Sequence, residues 1–247
     1  MKSPLAKFAM LLLTATFCTG CAGLRYQRET DLSAHLPLGV VTVLSNRNIY
    51  WDDEDPNASD RPRQNETPEK TRVSRADALI SDAEAILQQS FADAGITNVV
   101  PKNDIINSQA YKNAKRRFIW NNNRTVLAEG YAPVNYGDKN FAAALAAETG
   151  VNAGIYFIFD FSKTMASGIG KTGAFRAQVY MTVVVVDAAG KTLYKRNRFV
   201  ASSNRIPVSF RSFNEKELLD IFRSAIANAC YLFIQEFAVA NNLNVED

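Results

Sequence analysis

The stretch AGIYFIFDFSKTMASGIGKTGAFRAQVYMTVVVV, residues 153–186, decides the fold, because its glycine-rich centre can be interpreted in two ways. Within that centre, SGIGKTG at 167–173, the residues Gly170, Lys171 and Thr172 match the end of a phosphate-binding loop. Such a loop needs a glycine five residues before Gly170, where this chain has Met165, and a helix after it. The residues after Gly173 instead alternate between apolar and polar side chains, which is typical of a strand. The stretch therefore predicts two antiparallel strands joined at a flexible glycine hairpin, and no nucleotide site.

The first strand of this hairpin predicts a sheet whose two faces differ in polarity. Successive side chains along a strand point to opposite faces of the sheet. One face is therefore predicted to carry only apolar residues and the other a mixed set, which are Ile155, Phe157, Phe159 and Phe161 on the first face and Tyr156, Ile158 and Asp160 on the second.

Strand and helix patterns alternate along the rest of the chain. Glycines and acidic capping residues mark the ends of the helices. The predicted elements are a buried strand at 38–45, a helix from Ser74 to Gly95, a short strand at 96–101, a broken helix at 104–119, a helix from Asp138 to Gly150, a strand at 193–202 after the turn DAAGKT, and a long helix at 214–240 in which Cys230 packs beside the apolar stripe. This order predicts an α/β fold of the α+β sandwich type, with helices packed on a mixed, largely antiparallel sheet.

The first twenty residues have the order of a secretory signal peptide. Lys2 and Lys7 precede an apolar run that is too short to span a bilayer as a helix. Thr19, Gly20 and Cys21 then resemble the bacterial lipobox, in which the cysteine is acylated and becomes the first mature residue. An ordinary signal peptide with an incidental cysteine is the alternative. Lipidation at Cys21 would hold the mature chain on a membrane, since two or more acyl chains anchor a protein stably.

The predicted organisation is a single domain on a short tether. It comprises a signal peptide at 1–20, a lipid-anchored tether at 21–37, an α/β domain at 38–240 with a long polar loop at 46–73, and a C-terminal tail at 241–247. Ala22, the second mature residue, resembles outer-membrane rather than inner-membrane sorting signals. We therefore expect the domain to be held at the outer membrane and to face the periplasm.

Composition and residue types argue against several classes of activity. The formal charge of the chain is +3 and falls to about +1 without the two signal-peptide lysines, so a basic surplus for nucleic acid is lacking. His35 is the one histidine and lies between the predicted lipid anchor and the first strand, so the predicted domain lacks the usual base of a hydrolytic triad. No cluster of His and Cys offers a zinc site. The acidic run at 52–55 lacks the spacing of a calcium loop. We expect no cofactor, no metal and no enzyme activity, although a spatial pair of carboxylates stays open.

Three blocks of the sequence resemble the periplasmic domain shared by the curli-secretion lipoprotein CsgG and the penicillin-binding-protein activator LpoB. The blocks are ALISDAEAILQQSFADAGITNVVPKNDI, FAAALAAETGVNAGIYFIFDFS and AQVYMTVVVVDAAGKTLYKRN, and the resemblance runs in order over residues 38–237. In that family they form a helix leading into a strand, a helix-to-strand step, and a strand ending at a turn before its partner. The resemblance implies the same α/β domain and a role in binding other envelope proteins.

This chain differs from each of the two relatives in a feature on which that relative's function depends. CsgG-like channels need long apolar hairpins, whereas the candidate insertions at 46–73, 107–137 and 162–174 are polar and are predicted to be irregular. LpoB-like activators have a long disordered tether, whereas the segment from Ala22 to Pro37 reaches only about 55 Å when fully extended. A pore is therefore not expected, and the domain is predicted to stay near its membrane.

The leading hypothesis is a non-enzymatic lipoprotein whose domain binds an envelope partner, such as a peptidoglycan-synthesis or secretion component. A surface-exposed adhesin or antigen that uses the 46–73 loop is the alternative, and an envelope hydrolase is a third hypothesis. Aromatic and arginine residues in exposed loops are common interface anchors. On that ground the predicted partner-binding residues are Trp51, Arg116, Arg117, Trp120 and Tyr131. The sequence leaves the oligomeric state unknown.

Overall fold

The computed structural model describes residues 32–52, 76–116, 125–169, 172–210 and 212–240. The predicted signal peptide and C-terminal tail lie outside these residues. In chain order the elements are β1 (Leu38–Asn46), β2 (Tyr50–Trp51), α1 (Ala76–Asp93), α2 (Lys102–Asn107), α3 (Gln109–Lys112), β3 (Thr125–Leu127), α4 (Lys139–Thr149), β4 (Ala153–Ile169), β5 (Thr172–Asp187), β6 (Thr192–Ala201), β7 (Ile206–Val208) and α5 (Glu215–Ala240).

The strands form one mixed sheet, which confirms the predicted fold class. Its main path is β3-β1-β4-β5-β6, while β2 pairs with β4 and β7 pairs with β5 beyond that path. Strands β1 and β2 run parallel to β4, and the other pairs are antiparallel. The helices pack on both faces of the sheet, so the molecule is the predicted α+β sandwich.

The hairpin of β4 and β5 forms the central strand pair of the sheet. Its pairing runs from Ala153 opposite Asp187 to Ile169 opposite Thr172. Near the tip Gly168 lies opposite Gly173, with φ of 116° and 143°, and a Cβ on Gly168 would approach the Thr172 carbonyl oxygen to 2.1 Å. Only glycine fits this close crossing, so the hairpin interpretation is confirmed.

Two predictions around this sheet were wrong in detail. Residues 162–174 were predicted to be irregular, but all those that the structure describes belong to β4 and β5, because each continues the ladder of the hairpin. Residues 96–101 were predicted to form a strand, but they contribute only an isolated bridge from Val99 to Leu38. Pro101, which cannot donate to a ladder, directly precedes α2 and ends the extended segment.

Helices α1 and α5 cover the first face of the sheet and enclose the main core. The predicted alternation is confirmed, since Ile155, Phe157, Phe159 and Phe161 are at most 1 % exposed. Helix α1 ends just before Gly95, at φ 66°, as predicted, whereas its predicted capping residue Ser74 lies outside the described residues. Burial raises the pKa of the Cys230 thiol on α5 to about 12, so this cysteine is a packing residue, as predicted.

Helices α2, α3 and α4 cover only one end of the second face. The helix predicted over 104–119 is broken at Ser108, whose side chain caps α3 by accepting from the Tyr111 N–H. Its predicted C-terminal part was wrong, because α3 ends at Lys112 and Arg116 forms an isolated bridge with Val134. Asp138 caps α4 and Gly150 ends it at φ 74°, as predicted. These helices pack against a smaller core cluster that includes Tyr111, Phe141, Leu145, Tyr156 and Val184.

The structured domain extends beyond two of the predicted boundaries. Leu32 was assigned to the tether but is completely buried in the main core. The polar loop was predicted to begin at residue 46, but β2 lies within it and pairs with Ser162 and Lys163 of β4. Residues 53–73 of that loop lie outside the described residues. Among the described helices, none is both long and apolar enough to cross a membrane.

Candidate protein-docking surface

A row of three side chains crosses the open part of the second sheet face. Asp160 on β4 lies opposite Tyr180 on β5, and Tyr180 lies opposite Phe199 on β6. The helices on this face pack around Tyr156 and Val184, at the other end of the strands. Tyr180 is 39 % exposed and Phe199 is 59 % exposed, and Asp160 is exposed as well. We call Asp160, Tyr180 and Phe199 the central row.

Polar pairs with satisfied hydrogen bonds lie on both sides of the central row. On one side the Thr182 hydroxyl is 3.0 Å from the Asn197 Oδ1 and donates to it. On the other side the Ser162 hydroxyl is 3.0 Å from the Gln178 Oε1 and donates to it. An aromatic centre with a polar rim is the usual anatomy of a protein–protein interface.

The carboxyl group of the central row is in a partly desolvated position. Although Asp160 reaches solvent, the protein around it on the sheet disfavours the charged form and raises the pKa of its carboxyl. Among the ion pairs that the structure records, none involves Asp160. A cation brought to this carboxylate by a partner would therefore gain a favourable interaction that the domain itself does not provide.

Trp51 does not lie in an exposed loop, so the premise on which it was predicted to bind a partner was wrong. It is 1 % exposed because β2 pairs with β4 and turns the indole into the main core. Its ring meets the Phe175 ring edge to face, with centroids 5.4 Å apart. The ammonium of Lys163, a completely buried residue, lies 5.1 Å from the Trp51 ring centroid.

Tyr131 is also buried rather than exposed, which corrects the second aromatic prediction. It is 9 % exposed, and the Lys102 Nζ lies 4.8 Å from its ring centroid. The Thr42 hydroxyl donates to the Ala132 carbonyl and holds this segment on β1. Burial, together with the nearby charge of Glu84, raises the pKa of the Tyr131 phenol. Tyr131 forms one wall of a cleft of about 470 Å³ beside α1.

Arg116 is exposed, as its predicted role requires. It lies at an open polar depression of about 520 Å³ that Lys115, Asn135 and Lys139 also line. Its role in partner binding stays a prediction. The other predicted site residues, Arg117, Trp120 and the lipidation site Cys21, lie outside the described residues.

Sequence reasoning missed the central row. The alternation of β4 placed Asp160 on the second face, but it could not show that the helices leave this part of the face open. Within the residues that the structure describes, no cluster of three or more His, Cys, Asp or Glu side chains could hold a metal ion. Comparison with protein-family models and with curated proteins finds no match for this chain.

Proposed function

We propose that this protein is a non-enzymatic, lipid-anchored envelope protein whose α/β domain binds a protein partner through the central row. The observation that carries the proposal is the exposure of Tyr180 and Phe199 side by side on an open sheet face. Tyrosine and other large side chains at the centre of a polar rim are the usual energetic anchors of interfaces. The resemblance to the CsgG and LpoB domain supports a partner in peptidoglycan synthesis or secretion, and an outer-membrane anchor facing the periplasm.

The chemistry of the row specifies what the partner presents. Tyr180 and Phe199 offer an apolar surface, which an aliphatic or aromatic side chain of the partner covers. Asp160 lies at the end of the row and takes an arginine or lysine, because a cation favours the charged form of its carboxyl. The partner therefore carries an apolar residue next to a basic one in its contact segment.

The docking proposal is tested by capture with matched variants. The lipidated wild-type protein is cross-linked in envelope extracts, the partner is identified by mass spectrometry, and its capture is quantified for each variant. The double variant Tyr180→Ala, Phe199→Ala is expected to lower capture at least about tenfold, since truncation of anchors has effects of this size. Asp160→Asn is expected to lower capture less and to reduce its dependence on salt.

Tyr231→Ala is the matched control for capture, because Tyr231 is 56 % exposed on α5 at the opposite side of the sheet. It is expected to retain wild-type capture. If the double variant captures the partner as well as wild type does, the central row is not the docking surface. A loss shared equally by Tyr231→Ala would point to a general effect of exposed tyrosines and would also contradict the proposal.

The anchor is tested separately from docking. Cys21→Ser should move the protein from the membrane fraction to the soluble fraction, because the acyl chains attached to that sulfur provide the attachment. Cys230→Ala is the control and should stay with the membrane. Intact-mass measurement of the wild-type N-terminal peptide should show the added acyl groups. Unchanged membrane partition of Cys21→Ser, together with an unmodified wild-type N-terminus, would contradict lipid anchoring.

A further inference from the structure

A second site lies away from the central row, in the cleft beside α1. One wall consists of residues spaced along a single face of that helix, namely Glu84, Leu87, Gln88, Phe91 and Ala92. This spacing follows the helix axis for about 12 Å at 1.5 Å per residue. The cleft is therefore elongated, and its volume of about 470 Å³ lies in the range of small-molecule sites.

The floor and far wall of the cleft are aliphatic. Val40 and Val43 of β1, which we call the valine floor, line the cleft together with Ile96, Val99 and Val100 from the segment after α1. Two backbone hydrogen bonds attach neighbouring segments to β1. The Val100 N–H donates to the Leu38 carbonyl at one attachment, and the Ala128 N–H donates to the Val43 carbonyl at the other.

The two charged groups of the cleft form one ion pair. Lys102 supplies the one cation of the lining and Glu84 the one carboxylate, and their Nζ and Oε1 atoms are 2.6 Å apart. Lys102 is the more exposed of the two, with 25 % of its side chain accessible against 12 % for Glu84. An ammonium carries three N–H donors, so Lys102 can bond a ligand while it remains paired with Glu84.

We infer that this cleft binds an unbranched aliphatic chain that ends in an anionic, hydrogen-bond-accepting head group. The chain lies between Phe91 and the valine floor, where burial of each methylene group is favourable. The head group accepts from the Lys102 ammonium, the more exposed member of the ion pair. Free fatty acids and single-chain phospholipids share this chemistry. The inference is independent of docking at the central row.

Calorimetric titration of the full chain tests the inference. The protein carries Cys21→Ser, which removes the predicted acylation site, so that neither detergent nor its own acyl chains compete for the cleft. The probes are sodium dodecanoate, 1-lauroyl-lysophosphatidylglycerol and dodecyltrimethylammonium. At least one of the two anionic probes should bind at a single site. The probe with the higher affinity identifies the ligand class as a free fatty acid or a single-chain phospholipid. The cationic probe should bind at least about tenfold more weakly, because its trimethylammonium head group cannot accept a hydrogen bond from the Lys102 ammonium.

Two variants on the cleft and one control decide the outcome. Ala92 is exposed and lines the cleft, so Ala92→Trp should fill it and weaken binding of the anionic probe at least about tenfold. Ala85 is exposed on the same helix but does not line the cleft, so Ala85→Trp should leave binding unchanged. Lys102→Met should abolish the preference for an anionic over a cationic head group. Absence of binding by both anionic probes, or binding that Ala92→Trp leaves unchanged, would overturn the inference.

Discussion

Replacing Phe157 with alanine is expected to lower the free energy of unfolding by about 3–5 kcal/mol, the usual cost of removing a buried phenylalanine. Phe157 is completely buried at the centre of the main core. Its ring packs edge to face against Phe91 of α1 and Phe233 of α5, with centroids 6.3 Å and 5.6 Å away. The substitution therefore leaves a cavity where α1 and α5 pack against the sheet. Urea denaturation followed by circular dichroism measures the change.

The matched control for this substitution is Phe199→Ala on the same sheet. Phe199 lies on β6 and is 59 % exposed, so its truncation is expected to lower the free energy of unfolding by no more than about 1 kcal/mol, the size of its cross-strand contact with Tyr180. The contrast between the two phenylalanines distinguishes the buried face of the sheet from its open face. Equal losses for Phe157→Ala and Phe199→Ala would contradict the assignment of the two faces.

Replacing Tyr111 with phenylalanine is expected to lower the free energy of unfolding by about 2–4 kcal/mol, because one hydroxyl group serves two backbone groups. Val41 falls at a shift in the pairing of β1 with β4, and the Tyr111 hydroxyl donates to its carbonyl at 2.9 Å. The same hydroxyl accepts from the Ala132 N–H at 2.8 Å. The substitution keeps the ring and removes both bonds, so urea denaturation measures their loss directly.

The pH dependence of this contribution follows from the state of the phenol. Burial raises the pKa of Tyr111 to about 12. Because the folded-state pKa lies above the ordinary value of 10.0, the contribution of the neutral phenol is complete below pH 10 and declines as pH rises through about 12. Tyr180→Phe, on the open sheet face, is the control and should change stability by less than about 0.5 kcal/mol. A Tyr111→Phe protein as stable as this control would contradict the bridging role.

The elements that sequence reasoning predicted well are those with local determinants. The hairpin followed from alternation on both sides of a glycine cluster, and the structure places Gly168 against Gly173, where a side chain would clash. The helix from Asp138 to Gly150 followed from a capping carboxylate and a left-handed terminal glycine, both of which the structure confirms. In each case the physical cause lies within a few residues of the element that it determines.

The errors share a different cause, which is pairing between distant parts of the chain. Trp51 stands next to an acidic run, so local composition indicated an exposed loop, yet pairing with Lys163 of β4 buries it. Tyr131 is placed by two hydrogen bonds of its neighbour Ala132, whose carbonyl accepts from the Thr42 hydroxyl and whose N–H donates to the Tyr111 hydroxyl. The central row and the cleft likewise depend on which surfaces the helices cover. None of these long-range contacts can be predicted from the residues that are adjacent in the sequence.

The burial of Cys230 protects its thiol from disulfide formation. Its thiol is inaccessible, and burial disfavours the thiolate that would attack another sulfur. Among the described residues no other cysteine is present. Two folded domains therefore cannot link covalently through this position, and a dimer whose disulfide maps to Cys230 would show that α5 had opened in some of the molecules.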